Sequence, residues 1–392
     1  MQLNNKLAGA LLAAMVLLMI GAFAILRSDS ATIRGNEMNV DRAVFNVANA
    51  ATLTGFQLAV NVNNYKPPGQ QAIFALIAAA SLVTLIVGGC ALAKIVQMRC
   101  ASWQIALASL VVWIVAVLLG ASLLLRPNVG TWPAIFQSAS AFGNDGHVVG
   151  DLPGLMDWRL HLVLLPLGLF GGLGILVLMD LAAAIAQGKR LHAYTIAILA
   201  MTAAIYLIGL ALIFTIEWLD GKDVHQAAIV GSAVVMNSRT LGFPLDTLGL
   251  VSRPSQWIVL LLMAIGGSGA GTAGGIKITT FFGIGRGAIR AMCGKAVDRV
   301  FGVMCIWFAI YWLMVLATTI SLVAAQPQAA GDRLLFLAVS AVSNVGISHE
   351  PILYTGVTLY ILSGAMLLGR FVPIAMLWWA AARGIRSEEL AQ

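Results

Sequence analysis

The chain has 392 residues, of which 60% are hydrophobic and only 10% charged, against about 25% charged residues in a soluble domain. So little charge cannot cover a water-facing surface, which excludes a soluble enzyme and a disordered chain. The net charge of +7 comes from basic residues scattered through short links rather than in the runs a nucleic-acid face needs, so no nucleic-acid partner is expected.

The composition is that of an all-α polytopic membrane protein, and 40 glycines and 15 methionines fit close helix packing in lipid. Eight stretches are long and apolar enough to cross about 30 Å of hydrocarbon. They cover residues 7–26, 70–95, 103–125, 158–186, 195–218, 256–283 (interrupted by glycines), 300–325 and 358–382. The first resembles a secretion signal ending at Ala22-Phe23-Ala24, but its apolar run exceeds the usual core of about 7–15 residues, so a retained helix is expected. Cys90, Cys100, Cys293 and Cys305 show no paired spacing and read as small hydrophobes.

Between the members of each pair lies a half-apolar stretch containing a run too short to span, then a polar turn with a glycine. The turns are Thr52-Leu53-Thr54-Gly55, Gly143-Asn144-Asp145-Gly146, Arg239-Thr240-Leu241-Gly242 and Ser343-Asn344-Val345-Gly346. Successive glycines Gly55, Gly146, Gly242 and Gly346 are 91, 96 and 104 residues apart, a near-constant period that marks one structural unit used four times. The spacing divides the chain into repeats at 1–100, 101–190, 191–297 and 298–392. Each consists of a spanning helix, a short re-entrant helix, a glycine turn and a second spanning helix.

The links opposite the turns, with the termini, hold twelve Lys/Arg against four acids, whereas the turn side holds ten against twelve. Basic density in short links points to the cytoplasmic side, with both termini inside.

Irregular backbone at membrane depth is tolerated only where it is buried in protein or lines a wet cavity. Four turns around one axis place four sets of carbonyls around a single pore, an arrangement that replaces the hydration shell of a monovalent cation. Glycine permits the positive φ such turns need, and the short helices aim their negative ends at the cavity. Any single glycine here could equally mark an ordinary outer loop; it is the fourfold recurrence that favours a pore.

Two further features stand out. Gly266-Gly267-Ser268-Gly269-Ala270-Gly271-Thr272-Ala273-Gly274-Gly275 carries six glycines inside an apolar span, costing about 1 kcal/mol each in a regular helix. It reads as a broken helix lining a path or as a small-residue packing face. Arg370 is a lone arginine in the last span, which either faces a cavity or snorkels to the interface; Lys277 carries the same ambiguity between an inner mouth and the interface.

The four turns, Arg239-Thr240-Leu241-Gly242-Phe243 above all, together with Thr272-Ala273-Gly274-Gly275-Ile276-Lys277, resemble the filters and inner helix of the Trk/Ktr/HKT superfamily of potassium transporters. The resemblance covers residues 45–373. It implies potassium uptake across the cytoplasmic (inner) membrane, with K⁺ as transported ion and no cofactor in this chain. The expected selectivity filter comprises Thr52, Leu53, Thr54, Gly55, Asn144, Asp145, Gly146, Thr240, Leu241, Gly242, Asn344, Val345 and Gly346. The expected gate is the loop from Gly266 to Gly275, restrained by Arg370. A homodimer in membrane lipid, seated on cytoplasmic nucleotide-binding regulatory subunits, is also implied.

The second turn departs from the family pattern, with Asp145 and His147 in place of a small neutral and an apolar residue. Asp145 either raises cation affinity or is hydrogen-bonded beside the filter. Two other functions compete: the potassium-translocating subunit of a K⁺-pumping ATPase complex, and an intramembrane enzyme using Asp145, His147 and Ser138 or Ser140.

Overall fold

A computed structural model describes residues 5–32, 38–58, 60–126, 129–239, 241–245, 247–297 and 299–384. In chain order come α1 (Asn5–Leu26), α2 (Val40–Ala51) and α3 (Pro67–Ile95). Then follow α4 (Ser102–Leu124), α5 (Thr131–Gly143), a π-helical turn (Leu160–Leu164) running into α6 (Leu165–Leu173), and α7 (Ile175–Gln187). Next are α8 (Ala193–Leu219), α9 (Val224–Ser238), a short α10 (Thr247–Leu250), α11 (Arg253–Ala264) and α12 (Ile278–Met292), and last α13 (Arg299–Ala325), α14 (Gly331–Val342) and α15 (Val357–Ala382).

Six of these helices, α1, α3, α4, α8, α13 and α15, are long and apolar enough to span a bilayer, and the chain is a multi-pass membrane protein. The fourth expected span, 158–186, is not one straight helix: it bends by 102° at Gly174, whose φ of 83° ends α6. The sixth, 256–283, breaks into α11 and α12 around residues 265–277.

Burial separates the inner helices from the outer. In α3, 72% of the apolar window is buried, against 17–28% in α1, α4, α8 and α13. The outer helices therefore present Leu, Ile and Val side chains where water would penalise them and lipid does not. The helix α15 packs on α2, α3, α13 and α14. The four short helices α2, α5, α9 and α14 lie inside this shell, their last turns almost wholly buried.

Candidate functional site

Each short helix ends at its glycine turn, and the four turns meet. All four glycines have positive φ: 77° at Gly55, 85° at Gly146, 67° at Gly242 and 82° at Gly346. Two residues earlier, Leu53, Asn144 and Asn344 are also left-handed, with φ of 54°, 56° and 51°. Asparagine tolerates that region; a buried leucine there is strained and held by its surroundings.

The turns close a ring in chain order. A side-chain carbon on Gly55 would fall within 3.0 Å of the Asp145 carbonyl oxygen; on Gly146, of that of Gly242; on Gly242, of that of Val345; and on Gly346, of that of Thr54. Across the ring, the same position on Gly242 is 3.2 Å from the Thr54 carbonyl oxygen. Each turn thus approaches the next so closely that only a hydrogen fits at its glycine.

Behind the ring, side-chain amides hold the backbone. Asn49 accepts from Phe56 N–H at 3.0 Å and donates to Phe56 O at 2.9 Å. Asn237 repeats this with Phe243, at 2.9 and 2.8 Å. Gln57 Nε2 bridges two turns, donating to Gly55 O at 2.8 Å and Gly146 O at 3.1 Å. Asn344 Nδ2 reaches Thr54 Oγ1 at 3.1 Å and Met366 O at 2.9 Å.

Residues 265–277 fold against the ring as an extended, glycine-rich loop. Thr272 Oγ1 donates to Phe142 O at 3.0 Å and accepts from Asn144 Nδ2 at 2.8 Å. Any side chain on Gly274 would collide with the Ser343 carbonyl, and on Gly267 or Gly271 with that of Gly172. The bend at Gly174 receives the loop: Ser268 N–H donates to Gly172 O at 2.9 Å, and Thr272 N–H to Gly171 O at 3.0 Å. The loop neck is closed by Gly266 N–H to Ile276 O at 2.8 Å.

Two arginines clasp this loop. Buried Arg370 donates through Nη1 to Thr272 O at 2.6 Å, and through Nε and Nη2 to Thr52 O and Leu53 O at 2.7 and 3.3 Å. Arg239 Nη2 donates to Gly266 O at 2.8 Å. Toward the C-terminal ends of α3 and α15, away from the turns, lies a cavity of about 140 Å³ lined by Gly269, Gly274, Lys277, Arg370 and Trp307. Lys277 Nζ donates to Ala273 O at 2.6 Å, so it sits at this mouth rather than at an interface. Arg370 likewise faces inward.

The structure thus brings together Thr52, Leu53, Thr54, Gly55, Asn144, Asp145, Gly146, Leu241, Gly242, Asn344, Val345 and Gly346 in one cluster, with residues 266–275 and Arg370 against them. Thr240 lies outside the described residues. Asn49, Asn237, Gln57 and the Gly168–Gly174 corner were not anticipated. Four glycines in seven residues (Gly168, Gly171, Gly172, Gly174) were the available sign of the corner.

No protein-family model matches the chain. It is 25% identical over 278 residues to the Ktr system potassium uptake protein B of Vibrio alginolyticus, covering 65% of this chain and 60% of that protein. It is 27% identical over 183 residues to the protein of the same name from Bacillus subtilis, covering 44% and 40%. The matched stretches span less than two thirds of these relatives' lengths. Among solved structures, the potassium transporter TrkH from Vibrio parahaemolyticus superposes with a TM-score of 0.71 over 97% of this chain and 86% of its own, at 17% identity. The chain is thus similar in sequence to two Ktr system potassium uptake proteins B and shares its fold with the potassium transporter TrkH.

Proposed function

We propose that this chain takes up K⁺ through the ring of four glycine turns, with residues 266–275 as a gate beneath it. The carrying observation is the closed ring, in which each glycine faces a carbonyl of the next repeat with no room for a side chain. Carbonyls gathered in such a ring can replace the hydration shell of a monovalent cation. The names of the sequence relatives support K⁺ as that cation.

In this reading the four repeats at 1–100, 101–190, 191–297 and 298–392 surround one pore. Arg370 holds the loop shut and places a positive charge under the ring. The membrane is the cytoplasmic (inner) one, with both termini inside. The assembly is a homodimer on a cytoplasmic nucleotide-binding regulatory subunit, which would release the loop. An enzyme is disfavoured by the sequence relatives, which are named as potassium uptake proteins.

The test is ⁸⁶Rb⁺ uptake into KCl-loaded proteoliposomes, with excess Na⁺ as competitor. Wild-type uptake that survives Na⁺ and is lost in Gly242→Ser is the expected result. If wild type is silent, deletion of residues 269–272 should open the path; silence there too would sink the proposal.

A further inference from the structure

Behind the second turn, two ionisable residues form a buried chain with no counterpart at the other three turns among the described residues. In each turn, the residue before the glycine or its neighbour donates backbone N–H to a carbonyl of the short helix: Thr54 to Asn49, Asp145 to Ser140, Leu241 to Asn237 and Val345 to Ser340, at 2.9–3.1 Å. Asn49, Ser140, Asn237 and Ser340 are therefore equivalent positions. The two asparagines clamp the residue after the glycine. The serines cannot reach, and Ser140 Oγ and Ser340 Oγ have no hydrogen-bond partner among the described residues.

In the second turn another group does the clamping. Asp145 Oδ2 accepts the His147 N–H at 3.2 Å and lies 2.6 Å from His147 Nδ1. The imidazole then crosses to the first repeat, where Nε2 is 3.1 Å from Asn49 Nδ2. The network assigns the proton. Asn49 Oδ1 accepts from Phe56 N–H, which fixes its other end as the NH₂ donor. His147 Nε2 must therefore accept, and Nδ1–H donates to Asp145. Asp145 and His147 are buried, as is Asn49.

We propose that His147 is a specificity-determining positioning residue: bridging Asp145 to Asn49, its ring sets the separation of the first two turns and thereby their preference for K⁺ over Na⁺. The inference rests on the potassium-pore reading. Gln57 already ties the Gly55 and Gly146 carbonyls at one point; a pair of turns also joined through His147 resists shrinking around the smaller Na⁺, whereas one tied at Gln57 alone yields further. Phenylalanine occupies this position in the first and third turns, as Phe56 and Phe243, so His147→Phe fits the volume while deleting both bonds. His147→Gln keeps one amide able to bond a neighbour.

The readout is the ratio of Na⁺ to K⁺ concentrations that half-inhibit ⁸⁶Rb⁺ uptake in proteoliposomes. His147→Phe should conduct with a ratio lower by about fivefold, as expected for losing one or two buried hydrogen bonds; His147→Gln should be intermediate, lower by about twofold. An unchanged ratio in a conducting His147→Phe protein overturns the inference and leaves the pore reading intact. No uptake by wild type and by the loop deletion overturns both. If His147→Phe yields no folded protein by size-exclusion chromatography, His147→Gln decides: a lowered ratio supports the inference, and a wild-type ratio overturns it.

Discussion

The Arg370 guanidinium donates to the Thr272 carbonyl at 2.6 Å while also holding the Thr52 carbonyl at 2.7 Å, so one side chain of α15 joins the glycine loop to the first turn of the ring. Both bonds are buried and charge-assisted, worth about 1.5–3 kcal/mol each in such settings. With Thr272 also bonded to Phe142 and Asn144, the loop is attached to two turns at once.

Removing the arginine should therefore free the loop. In Arg370→Met, basal ⁸⁶Rb⁺ flux is expected to rise by about tenfold, the shift that losing about 1.4 kcal/mol from the closed state produces. Thr272→Val should move flux in the same direction by less. Flux equal to wild type in both would show that the loop is not the barrier.

The ring glycines should tolerate no side chain. Gly346→Ala places a methyl group against the Thr54 carbonyl and forces alanine to positive φ, which alone costs roughly 1–2 kcal/mol. Uptake at least about tenfold lower is expected. The comparison is Gly302→Ala on α13, where nothing lies within 4 Å and a helical alanine adds up to about 1 kcal/mol; its uptake should match wild type. Equal losses at both sites would refute the geometric account.

A second buried network stabilises α8 against α11. Glu217, fully buried, accepts from Ser252 N–H at 2.9 Å and from the hydroxyls of Ser252 and Ser255, and pairs with Lys222. Glu217→Ala leaves those donors unmatched and should cost about 3 kcal/mol, visible as a lower melting temperature in detergent. Adding Lys222→Ala should recover part of the loss. Full stability in the single variant would show the network to be energetically neutral.

His349, in the loop between α14 and α15, provides a pH dependence. Its Nε2 is 3.2 Å from Gln256 Oε1, and its ring packs edge-on against Phe336 at 4.6 Å. Burial first, and then the nearby Arg333 charge, lower its pKa below the ordinary imidazole value, with Asp332 and Glu350 opposing. The folded protein thus binds fewer protons than the unfolded chain as pH drops below about 6.5. Stability from this contact is present above that pH and lost on acidification. The melting temperature should fall more between pH 7.5 and pH 5 for wild type than for His349→Gln; parallel falls would exclude His349 as the titrating group.

Much of this molecule was legible in its residues, because membrane helices obey a strong local rule: every backbone group must be satisfied within lipid. Apolar length thus located the helices α1, α3, α4, α8, α13 and α15, and the period of Gly55, Gly146, Gly242 and Gly346 marked four equivalent turns. Their positive φ follows from glycine itself. What no local pattern could supply was register between distant segments. Gly242 facing Val345, Thr272 against Asn144, and Arg370 against Thr52 join residues about 100 to 320 positions apart; such pairings arise only when four repeats close on one another. The bend at Gly174, which receives the loop at residues 268–272, belongs to the same class. Each depends on which surface arrives beside it, and packing rather than sequence spacing decides that.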